Sequence, residues 1–171
     1  HNLEKLGVPV LTMADGPAGV RLSSVYTITK SGKIKPLSSS IVEGIDETSA
    51  LKVDNNTIKY YQYCTAIPIG TAIAQTWNPK VAQIYGEIIG NEMSLFGINI
   101  WLAPALNIQR SPLNGRNFEY YSEDPLISGL SAAYIIKGVQ KYPGRTATIE
   151  HFAANNQETN RQYVNSMVSA R

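Results

Sequence analysis

Asn78-Pro79-Lys80-Val81-Ala82-Gln83-Ile84-Tyr85-Gly86-Glu87-Ile88-Ile89-Gly90-Asn91-Glu92-Met93-Ser94-Leu95-Phe96-Gly97-Ile98-Asn99-Ile100-Trp101-Leu102-Ala103 is the stretch from which the fold is read. Asn before Pro opens a helix, because the Asn side chain accepts from an early backbone N–H and proline fits the first helical position, where its missing N–H costs nothing. Val81, Ile84, Tyr85 and Ile88 then recur at spacings of three and four, which puts an apolar stripe on the core side. Gly97 after Leu95-Phe96 is the expected stop. Ile98 to Ala103 follows as an apolar strand, and Pro104 is expected to block its further pairing.

Working outward, Asp124-Pro125 repeats the capping arrangement and predicts a second helix through Leu126, Leu130, Ala133, Tyr134 and Ile135 to about Gln140. Tyr142-Pro143-Gly144 turns the chain, and Thr146 to Ile149 reads as a third strand ending at Glu150-His151. Towards the N-terminus, Val8 to Met13 has the mostly continuous apolar pattern of a strand buried on both faces, and it ends at Asp15-Gly16-Pro17. Strands alternating with helices mean an α/β fold with parallel pairing and right-handed crossovers. The three strand ends then open on one face, where Asp15, Arg116 and His151 are expected to converge. Residues 23–63 break the pattern: Lys30-Ser31-Gly32-Lys33 and Ser38-Ser39-Ser40 carry no periodicity and predict a long loop or insertion. Tyr60, Tyr61 and Tyr63 either line a pocket mouth or anchor that loop as it returns. Asn55-Asn56-Thr57 has the form of a glycosylation acceptor, a pattern too common to carry an argument.

The chain has 171 residues and a formal charge of +2, with no run of Lys or Arg long enough to follow a phosphate backbone, so nucleic acid is not an expected partner. No window reaches the ~18 apolar residues of a membrane helix. The one cysteine, Cys64, cannot form an internal disulfide, and the two histidines, His1 and His151, have no second ligand at metal-binding spacing, so no metal or other cofactor is expected.

The most polar part of this framework is Asn114-Gly115-Arg116-Asn117-Phe118-Glu119-Tyr120-Tyr121-Ser122-Glu123-Asp124-Pro125. Arg116 offers a planar fork of donors suited to hydroxyls or carboxylates, and Phe118, Tyr120 and Tyr121 offer flat ring faces. By composition alone the favoured reading of the segment is a turn with a surface arginine, and that of Asp15 a turn aspartate before Gly-Pro.

This segment, with Leu102-Ala103-Pro104-Ala105-Leu106-Asn107-Ile108-Gln109-Arg110 before it, His151-Phe152-Ala153-Ala154-Asn155-Asn156-Gln157-Glu158-Thr159-Asn160-Arg161 after it, and Asp15-Gly16-Pro17-Ala18-Gly19-Val20-Arg21 near the start, resembles the first catalytic domain of the family 3 glycoside hydrolases. The resemblance runs from about residue 12 to residue 161, interrupted between Leu22 and Tyr63. It implies a (β/α)8 barrel. Such a barrel needs roughly 200 to 250 residues, so the chain is expected to be a fragment: the N-terminal half of a TIM barrel with a long insertion after the first strand, completed by the rest of the barrel and a second domain. The implied activity is removal of a terminal β-linked sugar with retention of configuration. The residues matching Asp15, Arg116, His151 and Arg161 would hold hydroxyls of that sugar. Asp15 would accept, both arginines would donate, and His151 can do either according to its tautomer.

The family's nucleophile lies in a Ser-Asp-Trp type motif later in the barrel, and no such motif occurs here, so neither catalytic carboxylate is assigned to this chain. Asp124 reads as a helix cap, while Glu119 and Glu123 either orient Arg116 or are solvated. One departure stands out: the family motif places Lys before His, and this chain has Glu150-His151. An acceptor replaces a donor and adds a second negative charge near Asp15, which is expected to weaken or redirect sugar binding. The sequence after His151 follows the glucosidase and xylosidase branch rather than the N-acetylglucosaminidase branch, which makes β-glucosidase the leading expectation. A non-catalytic sugar-binding or degenerate paralogue is the alternative. A nucleotide-binding α/β domain is disfavoured, since no Gly-rich phosphate loop stands at a strand-to-helix junction.

Overall fold

The computed structural model describes residues 4–36 and 58–170; His1, Ser38-Ser39-Ser40 and Asn55-Asn56-Thr57 lie outside them. Contacts divide the chain into two units, residues 21–65 and the remainder. The larger unit is a three-stranded parallel sheet with helices: β1 (Met13–Asp15), α1 (Gly70–Ala74), α2 (Pro79–Phe96), β5 (Ile100–Ala105), α3 (Pro125–Val139) and β6 (Thr146–Glu150), in the sheet order β1-β5-β6. The smaller unit carries β2 (Val25–Ile28), β3 (Ile34–Pro36) and β4 (Lys59–Tyr61) as an antiparallel sheet in the order β3-β2-β4.

Both long helices start as the sequence predicts. The Asn78 and Asp124 side chains accept from the N–H groups of Lys80 and Leu126, each with proline next in the chain. Gly97 closes α2 in the left-handed conformation (φ 68°) that glycine adopts without steric cost. The core between sheet and helices holds Trp101, Ala103 and Ala105 of β5 with Ile89 and Met93 of α2 and Ile135 and Val139 of α3. Helices α2 and α3 meet through glycine: a Cβ on Gly86 would lie 2.0 Å from the Ile135 carbonyl oxygen, and one on Gly138 2.2 Å from that of Gln83.

Three expectations are corrected. The first strand lies at Met13–Asp15 rather than Val8–Met13, and Val8, Val10, Leu11 and Met13 are exposed. β1 has β5 along one edge and no second partner among the described strands, and the exposure of those four side chains means that the apolar run is not buried on both faces. The second strand runs through Pro104 to Ala105. Beyond a register irregularity at Leu102 and Ala103, which both face Thr148, Ala105 pairs with Glu150, and the Leu106 N–H bonds the Glu150 carbonyl. An isolated proline removes one donor without ending a parallel ladder whose neighbours still supply theirs. Finally, the described parts of residues 23–63, expected as a loop or insertion, carry strands rather than loop alone. Val25, Thr27 and Ile28 are β-branched and pair with strands on either side, Tyr26 stacks on Tyr60, and Gln62 ties back to the Ser23 carbonyl.

Candidate functional site

The loop after β1 is fixed from beneath. The Trp101 indole donates to the Gly16 carbonyl (2.9 Å) and the buried Tyr85 hydroxyl to the Pro17 carbonyl (2.6 Å), while the Gly16 N–H donates to Asp15 Oδ1 (2.8 Å). Gly16 and Gly19 sit at φ 134° and 126°, which glycine alone adopts readily, so Gly-Pro-Ala-Gly forms a turn that a side-chain-bearing sequence would resist. Asp15 thus ends β1 with its carboxylate held by its own turn.

The segment after β5 is anchored in the same manner. Thr71 of α1 donates to the Tyr120 carbonyl (2.9 Å), and Gln109 Nε2 reaches the Thr71 hydroxyl and the Asn117 carbonyl, both at 2.9 Å. Asn117 to Glu119 form one 3-10 turn. On it the buried Glu119 carboxylate takes Nε of Arg116 in a short ion pair. Glu119 therefore orients Arg116 and is not solvated. Burial works against the guanidinium charge, but the Glu119 bond and charge outweigh it and hold the Arg116 pKa above its already high value. Glu123 is exposed and Asp124 caps α3, as the sequence suggests.

His151 follows β6 directly, in the left-handed region at φ 42°. For a non-glycine residue this costs on the order of 1 to 2 kcal/mol. Its ring bridges two side chains: Nε2 lies 3.0 Å from Arg116 Nη1 and Nδ1 lies 2.8 Å from the Tyr120 hydroxyl. Asn155 Nδ2 donates to that hydroxyl and to Glu158 Oε1, and Glu158 Oε2 accepts from Arg161 (3.2 Å). The segment carrying Asn155 is latched in turn by Asn107 and Asn114. Asn107 Oδ1 takes the Asn155 N–H (3.0 Å), and Asn114 Nδ2 donates to the Asn155 carbonyl (2.7 Å).

Of the residues singled out from the sequence, Arg116, His151 and Arg161 therefore belong to one continuous polar cluster. Asp15 ends β1, which is two strand spacings of about 4.8 Å from β6. Because the strands are parallel, it lies towards the same end of the sheet. Glu150 is half-buried at the end of β6, and its charge acts on Arg116 and on the buried Tyr121. Sequence reasoning did not single out Asn107, Asn114, Asn155 or Glu158, and gave Tyr120 only a ring face. A buried asparagine has no periodic signature, since its contacts are to backbone carbonyls far away in the chain.

Burial, and then the Arg116 charge, lower the pKa of His151 from its ordinary 6.5. In the interval between the lowered folded value and the ordinary unfolded one, the unfolded chain binds more protons, so stability rises with pH. This contribution is complete above 6.5 and is lost as pH falls through the folded value. Urea midpoints measured between about pH 5 and pH 8 should fall towards acid. His151→Gln should flatten that dependence, and an unchanged slope would mean that the imidazole does not carry it.

A parallel α/β scaffold with a polar cluster beyond the C-terminal ends of its strands is the arrangement in which this class of fold binds ligands. Comparison with known proteins is specific. The pattern of the glycosyl hydrolase family 3 N-terminal domain matches residues 50–169. The chain belongs to that family. It is 36% identical over 170 residues to beta-glucosidase A of Butyrivibrio fibrisolvens, covering 99% of this chain and 16% of that protein. It is also 36% identical to thermostable beta-glucosidase B of Acetivibrio thermocellus, with 99% and 19% covered. Among solved structures, beta-glucosidase 3B of Thermotoga neapolitana in complex with glucose superposes with a TM-score of 0.68 at 41% identity, over 94% of this chain and 18% of that one. The chain thus spans under a fifth of the length of these relatives, and its fold matches part of the Thermotoga neapolitana structure, the sheet of the described residues not closing a barrel.

Proposed function

We propose that this chain forms the N-terminal half of the (β/α)8 barrel of a β-glucosidase-like retaining glycosidase and supplies part of the pocket for the terminal, non-reducing sugar. In this reading Asp15 accepts hydroxyl protons, Arg116 and Arg161 donate to hydroxyl oxygens, and His151 completes the set. Glu150 tunes the pocket by its charge. The observation that carries the reading is the Arg116–His151 contact at the end of a parallel sheet, with Asp15 ending a strand of the same sheet. Hydrolysis with retention further needs two carboxyl groups about 5 to 5.5 Å apart. This reading assigns both to the remainder of the longer polypeptide.

The test is hydrolysis of an aryl β-glucoside by the polypeptide that carries this chain. Turnover with release of the β-anomer supports the reading; saturable glucose binding without turnover favours a non-catalytic sugar-binding paralogue, for which the acidic Glu150 in the cluster speaks. Glu150→Lys separates the contribution of that residue. Exchanging an acceptor for a charged donor should lower KM roughly tenfold, since a hydrogen bond to a charged group is worth about 1.5 to 3 kcal/mol. Unchanged KM and unchanged inhibitor affinity would show that Glu150 takes no part.

A further inference from the structure

We propose that Tyr120 is a positioning residue which, together with Arg116, fixes His151 as the neutral tautomer protonated on Nδ1, so that Nε2 serves the site as a hydrogen-bond acceptor and never as a donor. The argument is a count of protons. A guanidinium has donors only, so the 3.0 Å contact between Arg116 Nη1 and His151 Nε2 requires a lone pair on Nε2. The one proton of the neutral ring then sits on Nδ1 and points at the Tyr120 hydroxyl oxygen 2.8 Å away. Asn155 cannot supply a proton to Nδ1 at 3.3 Å, because both protons of its amide are directed to Tyr120 and Glu158. Tyr120 is fully buried and held through its carbonyl by Thr71 and Gln109, so its hydroxyl is a fixed acceptor. Burial is the main cause that lowers the ring pKa; of the charged groups acting on it, Arg116 from the loop and Arg161 from the following segment lower it further and Glu119 and Glu158 raise it, and the net lowering is in keeping with a neutral imidazole.

Resting on the sugar-pocket reading, one further consequence follows for the ligand. Nε2 has one lone pair, already taken by Arg116 Nη1, so a ligand hydroxyl engages both groups only by replacing that direct contact, accepting from Nη1 and donating to Nε2.

Nitrogen-15 spectra of histidine-labelled protein, in the polypeptide that carries this chain, test the assignment, with the His151 signals identified by their loss in His151→Gln. Nδ1 should be pyrrole-like and Nε2 pyridine-like. Tyr120→Phe keeps the ring that fills the core and removes the acceptor for Nδ1–H, so with Arg116 alone left to hold the tautomer the pattern should weaken measurably, a share of the ring protonated on Nε2 now appearing. A protonated Nε2 in the unsubstituted protein, or the same spectrum in Tyr120→Phe, overturns the proposal. Adding saturating glucose should shift Nε2 while leaving it unprotonated; protonation of Nε2 in the complex also overturns it. If glucose moves neither nitrogen, the sugar-pocket reading of His151 fails while the tautomer assignment is still decided by the ligand-free spectra.

Discussion

Replacing Gly86 by alanine should destabilise the fold more than any other single methyl added to the helices. The added Cβ would stand 2.0 Å from the Ile135 oxygen and 2.8 Å from its carbonyl carbon, both backbone atoms of the facing helix. No rotamer relieves such a clash; α2 and α3 must separate, and the apolar contacts on both sides loosen together. Overpacking typically costs about 1 to 3 kcal/mol where a side chain can yield. Here nothing flexible yields, so the loss should be about 3 kcal/mol or more. Gly129 provides the control. It lies on the exposed side of α3 with nothing within 4 Å of a built Cβ, so Gly129→Ala should stabilise by roughly 0.5 to 1 kcal/mol through helix propensity alone. Urea midpoints of the two variants should move in opposite directions. Equal midpoints would mean that the helices are not in close contact at Gly86.

The second large effect is expected at Arg116. Its partner Glu119 has a side chain only 4% exposed, so Arg116→Ala leaves a carboxylate in the protein interior without its counter-ion. Breaking a buried pair on one side costs about 3 to 5 kcal/mol, and the 21% exposure of the arginine side chain places this pair near the lower figure. Adding Glu119→Gln to Arg116→Ala removes the stranded charge and should recover most of the loss in a double-mutant cycle. Arg116→Lys should behave more like the alanine variant than like the original protein. One ammonium cannot serve Glu119 through Nε and His151 through Nη1 at once. If the double variant is no more stable than Arg116→Ala, the penalty lies in lost packing rather than in charge.

Both helices were legible from their ends, because Asn78-Pro79, Gly97 and Asp124-Pro125 act through local backbone geometry that the sequence alone specifies. Strand limits were less so. Apolar residues at Val8 to Met13 report hydrophobicity, whereas the ladder is decided by which partner lies alongside, and β1 meets β5 only at Met13–Asp15. Pro104 was misread for a related reason: a missing donor matters only if the neighbouring strand needs it there. The antiparallel sheet of residues 21–65 escaped notice because its strands are three or four residues long, too short to establish a period. At the site, Arg116 and His151 were visible as chemistry, and their relation to Tyr120 and Asn155 was not. Those contacts join residues between 4 and 35 positions apart, and they depend on the turn at His151, whose positive φ no sequence pattern announces.

The doubled step at Leu102 and Ala103 limits where this chain can tolerate insertions. Side chains along a strand alternate between faces, so gaining or losing one residue before the irregularity would turn Ala103 and Ala105 away from the helices and carry the start of the Arg116 segment to the opposite face. Changes of length that leave the polar cluster in place are therefore excluded from the few positions between Ile100 and Ala105.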